Sequence, residues 1–237
     1  MKKIIEIKNL TKSFGKKIAN DNISFDIYEG ERIAIVGGNG AGKTTLVEQI
    51  IGTSIPTSGE IVYNFDYKKS PQEEMGMQFQ ESSYPEGLTV KDIIEFSLQI
   101  YNYKGGQKEI HSLIEKFQVT PFINEKAKSL SGGQQQKLNV LLAITHNPKI
   151  VILDEISTGL DISAREEIIG YIDEITKKEK ITTILISHNM NEVERLCTRL
   201  IVLKDGKLLN IDTIKNIQKK HKSVDLYMKK VIGGKNA

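Results

Sequence analysis

The stretch Gly37-Gly-Asn-Gly-Ala-Gly-Lys-Thr-Thr45 has the residue types and spacing of a phosphate-binding loop, G-x-x-x-x-G-K-S/T. Gly37, Gly38, Gly40 and Gly42 let the backbone curl around Asn39 and Ala41, so that successive N–H groups face one point and form an anion nest. A helix starting at the end of the loop adds the positive end of its dipole. Lys43 brings a full charge to the β- and γ-phosphates of a nucleotide, and Thr44 offers a hydroxyl to the Mg²⁺ that bridges them, with Thr45 following. A plain glycine-rich turn would not require Lys43-Thr44 at this spacing. Such a site also needs a carboxylate near its metal. Ile150-Val-Ile-Leu-Asp154-Glu155 ends an apolar stretch with two adjacent acids. From the end of a buried strand, Asp154 can reach Mg²⁺ through water and Glu155 can polarise an attacking water.

The surrounding sequence predicts the elements that hold these groups. Strands are expected over 3–10, 18–27 and 32–36, with Ile23, Phe25 and Ile27 alternating as on a half-buried strand. Residues 32–36 run into the glycine loop and then a helix over 44–51, the strand–loop–helix context that the motif requires. Another strand is expected over 59–63. From 88 to 144 the pattern turns helical: Thr89-Val-Lys-Asp92 reads as a capping box, Gly105-Gly106 as a break, 107–117 as a second helix, and a third starts near Ser131. Continuous apolar strands over 150–153 and 181–186 alternate with helices over 162–178 and 191–197. Asp205-Gly206 marks a hairpin, and a basic helical tail covers 213–230. Strands alternating with helices predict an α/β fold with a mostly parallel sheet.

Bulk composition sets limits. The 237 residues suffice for a large hydrophobic core. The net charge of +3 is too small to argue for nucleic acid. One cysteine, Cys197, rules out an internal disulfide and fits a reducing compartment, where it reads as a small apolar residue. No apolar run approaches the roughly 20 residues of a membrane helix, so a membrane role must come through a partner. The tail lysines read as a solvated face.

Leu130-Ser-Gly-Gly-Gln-Gln-Gln-Lys137 resembles the signature motif of the ATP-binding-cassette (ABC) ATPases, and the resemblance extends along essentially the whole chain. It implies a P-loop NTPase (RecA-like) core with an N-terminal antiparallel β subdomain and an inserted helical subdomain. The core would comprise 1–80 and 147–212, the helical subdomain 81–146 and the tail 213–237. Phe14 matches the aromatic that stacks on adenine. Gln80 matches the glutamine that touches Mg²⁺ and links core to helical subdomain, a role for which Gln78 is the weaker choice. Asp161, in Gly159-Leu-Asp161, matches the loop crossing the dimer interface, and His188 the histidine that contacts the γ-phosphate. Ser131, Gly132, Gly133 and Gln134 would meet the γ-phosphate of an ATP held by a second subunit. His111, His146 and His221 match nothing and read as surface residues.

The resemblance therefore implies a Mg²⁺-dependent ATPase working as a homo- or heterodimeric sandwich. It would be cytoplasmic, docked on the inner face of the cell membrane through membrane-spanning transporter subunits, with no nucleic acid partner. The compact length and residues 190–199 lean towards the small exporters, although importers of similar size exist. Two positions depart from the family pattern. Gly38 stands where many relatives have proline or serine, and Ile156 stands where transport ATPases usually have proline. Isoleucine is also found there in the soluble ABC ATPase of iron–sulfur-cluster assembly, which supplies the alternative function. The Gln-Gln-Gln-Lys of the signature argues against that alternative.

Overall fold

The computed structural model describes residues 1–78 and 83–232. The chain opens with strands β1 (Lys3–Phe14), β2 (Lys17–Tyr28) and β3 (Arg32–Gly37), then helix α1 (Lys43–Ile50). Strands β4 (Ser58–Tyr63) and β5 (Met75–Gln78) precede helices α2 (Val90–Ile100), α3 (Gln107–Lys116) and α4 (Gly132–Ile144). Next come β6 (Ile150–Asp154), α5 (Ile162–Lys178), β7 (Thr182–Ile186) and α6 (Met190–Leu196). The chain continues through β8 (Arg199–Lys204), β9 (Lys207–Thr213), α7 (Ile214–His221) and α8 (Val224–Ile232). It divides into two compact units, Met1–Gln72 with Thr182–Ala237, and Glu73–Ile181.

In the first unit β1 is the middle strand of an antiparallel sheet ordered β2-β1-β4. Ile23, Phe25 and Ile27 are buried and Ser24 is exposed, as the alternation predicts. β3 lies parallel to and between β7 and β8. Ile33, Ala34, Ile35 and Val36 are all buried, as are all five residues of β7, the pattern of strands covered on both faces. Asp205 and Gly206 both take positive φ, 50° and 76°, in the turn that folds β9 back on β8.

The tail is two helices instead of one. Lys222 takes φ 71° between them, and Ile214, Ile217, Val224, Tyr227 and Met228 turn inward while Lys219, Lys220, Lys229 and Lys230 stay exposed. The Glu194 carboxylate of α6 accepts from the Val224 N–H and the Gln218 side-chain amide, tying the pair down. Cys197, at the end of α6, is buried, and burial pushes its thiol far above the ordinary range, where it is inert.

In the second unit β5 runs parallel to β6 and packs beside α4. β5 is an element the sequence pattern does not announce: it is four residues long and contains Gly76, where a Cβ would collide with the Ala143 carbonyl. Thr89 caps α2 through the expected box with Asp92, whose carboxylate is held below its usual range by the Thr89 hydroxyl and N–H. Phe96 and Ile100 point outward from α2 and are 59% and 62% exposed.

The histidines divide. His111 is exposed beside Glu115, and His221 is half-buried against Tyr227. His146 departs from the surface reading: it is half-buried, stacks on Tyr101 with ring centroids 3.6 Å apart, and donates from Nε2 to the Met75 carbonyl at 3.2 Å. Among the described residues, no helix is long and apolar enough to cross a membrane.

Candidate functional site

The phosphate loop hangs between β3 and α1 in the first unit. Its glycines are there for different reasons. Gly37 and Gly42 have no room for a side chain: a Cβ on Gly37 would strike the Leu203 carbonyl, and one on Gly42 the Ala19 carbonyl and the Asn20 amide. Gly40 and Gly42 also take φ of 73° and 95°, left-handed values that curl the loop. Lys43 Nζ reaches back over the loop to the carbonyls of Gly37 (2.9 Å) and Gly38 (3.1 Å). The first turn of α1 carries neither a side-chain cap nor an acidic residue, so its positive end faces the loop unopposed. Asn39, Gly40 and Thr44 are exposed, Ala41 is buried, and Gly38 and Thr45 are half-buried.

Below the loop lies a polar pair that the motif reading missed. Buried Gln49 donates from Nε2 to buried Asn20 Oδ1 at 2.7 Å and to the Thr45 carbonyl at 3.1 Å. Asn20 Nδ2 donates to the Gly42 carbonyl at 3.0 Å. The available signal was a glutamine among the apolar residues of α1.

Phe14 ends β1 and is 54% exposed, and Lys12 Nζ lies 5.0 Å from its ring centre. His188 is exposed just past β7, on a turn held by its neighbours. Ser187 Oγ donates to Glu192 Oε2 at 2.8 Å, the Asn189 N–H donates to Ser187 Oγ, and Asn189 Nδ2 donates to Glu192 Oε1. Glu192, almost completely buried, is thus the brace of the histidine turn, and nothing in the sequence reading singled it out.

The second unit carries the acidic pair and the signature helix. Asp154, at the end of β6, gives its backbone N–H to Gln78 Oε1 at 3.1 Å. Gln78 is buried at the end of β5 and holds the end of the acidic strand; Gln80 lies outside the described residues. Glu155 takes a left-handed φ of 53°. Its Oε2 accepts from the Thr158 hydroxyl at 3.0 Å. Ile156 is fully buried.

Ser131 starts α4 with a complete capping box: its Oγ accepts from the Gln134 N–H, and Gln134 Oε1 accepts from the Ser131 N–H at 2.9 Å. Asp161 caps α5 by accepting from the Ala164 N–H at 2.9 Å. The two helix starts meet where Gly133 faces Ala164. Together Ser131–Gln134 and Gly159–Asp161 line one cleft of about 400 Å³.

The family model described as ABC transporter matches residues 20–158, more than half of the chain. A model of an AAA domain matches 123–194, which holds the acidic pair and the histidine turn. The chain is 36% identical to an ABC transporter ATP-binding protein of Methanocaldococcus jannaschii, over 93% of this chain and 81% of that protein. It is 35% identical to the zinc import ATP-binding protein ZnuC of Rickettsia conorii, over 85% and 83%. Among solved structures it resembles a dimeric bacterial ABC transporter cassette with a TM-score of 0.77 and 28% identity, covering 89% of this chain and 98% of that one.

Proposed function

Because this chain belongs to the ABC transporter family of ATP-binding proteins and is an ATPase of that class, we propose that it is the motor subunit of a membrane transporter, acting as one half of a head-to-tail pair. One observation carries the reading: the start of the signature helix and the Gly159–Asp161 loop line one cleft, with no side chain at Gly132 or Gly133 to cover the helix start from an incoming anion. A second copy, or a second cassette of the same family, would bring its cleft to this chain's ATP.

The roles follow from the chemistry of each group. Phe14 offers its exposed ring to the adenine. The N–H groups of residues 37–45 and the Lys43 ammonium take the phosphates, with the left-handed Gly40 and Gly42 giving the loop its curl. Thr44 and Asp154, with Gln80, offer a hydroxyl, a carboxylate and an amide oxygen, donors that would suit Mg²⁺, which would supply neutralisation of the phosphate charge. Glu155 orients and polarises the attacking water, so that ATP and water give ADP and phosphate. His188 contacts the γ-phosphate from the turn braced by Glu192. In the partner's site, Ser131, Gly132, Gly133 and Gln134 present the start of α4 to the γ-phosphate, with Asp161 at the interface.

Residues 81–146 would pass closure of the pair to membrane-spanning subunits, which would hold the chain at the inner face of the membrane. The named import function of a relative supports import over the small-exporter expectation. For the iron–sulfur alternative the feature in favour is Ile156, and its full burial makes it a matter of packing more than of chemistry. The test is Glu155→Gln. It should bind ATP, lose about 10²–10⁴ in turnover and form a dimer in size-exclusion chromatography only when ATP is present. A variant that stays monomeric at saturating ATP would count against the sandwich.

A further inference from the structure

Asn20 and Gln49 sit directly beneath the phosphate loop, in a place where apolar side chains would satisfy packing alone. Both are buried, at 0% and 2% exposure. Buried amides cost stability unless their hydrogen bonds are made, and among the described residues one acceptor, Gln49 Oε1, has no partner. The arrangement is a poor way to fill space. It is a good way to fix the direction of a peptide.

A peptide unit is planar and trans, so its C=O and its N–H point to opposite sides. Asn20 Nδ2 holds the Gly42 carbonyl, which already accepts from the Leu46 N–H at 2.9 Å as the first bond of α1. The Lys43 N–H of the same peptide is thereby turned away from Asn20, towards the concave side of the loop. The Gly206 N–H does the same for the preceding peptide by donating to the Ala41 carbonyl at 3.3 Å, which turns the Gly42 N–H. Gln49 completes the brace: its amide fixes the Asn20 side chain through Oδ1, leaving Nδ2 to face Gly42, and a second bond anchors it to the Thr45 carbonyl. Gly42 is held in the left-handed region with Ala19 and Asn20 packed against the face where its Cβ would be, so this peptide has little freedom once Asn20 is in place.

We propose that Asn20 and Gln49 are positioning residues for ATP, which aim the Gly42–Lys43 peptide N–H at the phosphates. The proposal rests on the ATPase reading above. It differs from a packing role in a measurable way, because two apolar side chains of similar volume could restore the packing but not the aim.

The experiment compares wild type with Asn20→Leu/Gln49→Leu in the full chain, measuring the thermal midpoint, the Kd for ATP and the kcat and KM of hydrolysis. Replacing both partners of a buried polar pair leaves stability nearly unchanged. The double variant should therefore melt close to wild type, yet bind ATP about tenfold more weakly, the loss of one phosphate hydrogen bond, and the loss should fall mainly on KM. The swapped pair Asn20→Gln/Gln49→Asn, which keeps both amides, should recover part of the affinity. A double variant that binds ATP as wild type does would overturn the proposal and leave the pair a packing feature. If the double variant does not fold, Gln49→Met removes only the second amide: weaker ATP binding is expected, and unchanged binding overturns the proposal. A wild-type chain that fails to bind ATP would instead sink the ATPase reading and the proposal with it.

Discussion

Glu155 holds a backbone conformation that its side chain disfavours. At φ 53° a residue with a Cβ costs about 1–2 kcal/mol relative to ordinary backbone. The turn tolerates it because the Thr158 N–H and hydroxyl both bond back to Glu155, one to its carbonyl and one to its carboxylate. Strain kept at a residue with a chemical task suggests selection for where the carboxylate points, not for stability. The prediction at this scale separates the two. Glu155→Gly removes the Cβ and the carboxylate together, so it should be as inactive as Glu155→Gln but more stable than it by about 1 kcal/mol. Thermal melts of the two variants without nucleotide check this; a glycine variant that melts lower would show that the turn is not strained.

Among the elements, the contact between the ends of α2 and α4 makes a prediction about pH. His146 donates from Nε2 to the Met75 carbonyl, and among the described residues its buried Nδ1 has no partner. Protonation would put a second, unsatisfied N–H there. Burial therefore lowers the imidazole pKa from 6.5 to about 4, with the Met75 bond acting in the opposite direction. Below pH 6.5 the unfolded chain takes up a proton that the fold refuses, so stability is lost as pH falls from about 6.5 towards 4, by at most about 3 kcal/mol. His146→Phe keeps a ring against Tyr101 and should show a shallower fall in melting temperature across this window; parallel slopes would exclude His146 as the source. The same elements show what was legible in the sequence. The capping box at Thr89, the helix start at Ser131 and the strand–loop–helix around Lys43 were readable because caps, periodicity and glycine spacing are local signals. β5 was not, since a short strand with two methionines and a glycine owes its state to β6 and α4. Asn20 and Glu192 escaped, as did the strand-holding role of Gln78 and the burial of His146, for a related reason: each acts through a partner distant in sequence or through burial, and one chain read alone shows neither.

For the whole molecule, the reading requires two chains facing opposite ways, and the sulfur inventory makes that arrangement testable. Cys197 is the one cysteine of the sequence, and it is buried. Asn39 is exposed in the phosphate loop, and a side chain at Gly132 would enter open space. In a Glu155→Gln background, chains carrying Asn39→Cys mixed with chains carrying Gly132→Cys should be joined by a short bismaleimide when ATP is present, and not without it. Joining that is indifferent to ATP would argue against a nucleotide-driven pair. The native thiol takes no part, being out of reach of the reagent and held protonated. A single silent thiol makes the natural chain a blank background, on which each label reports only the position chosen for it.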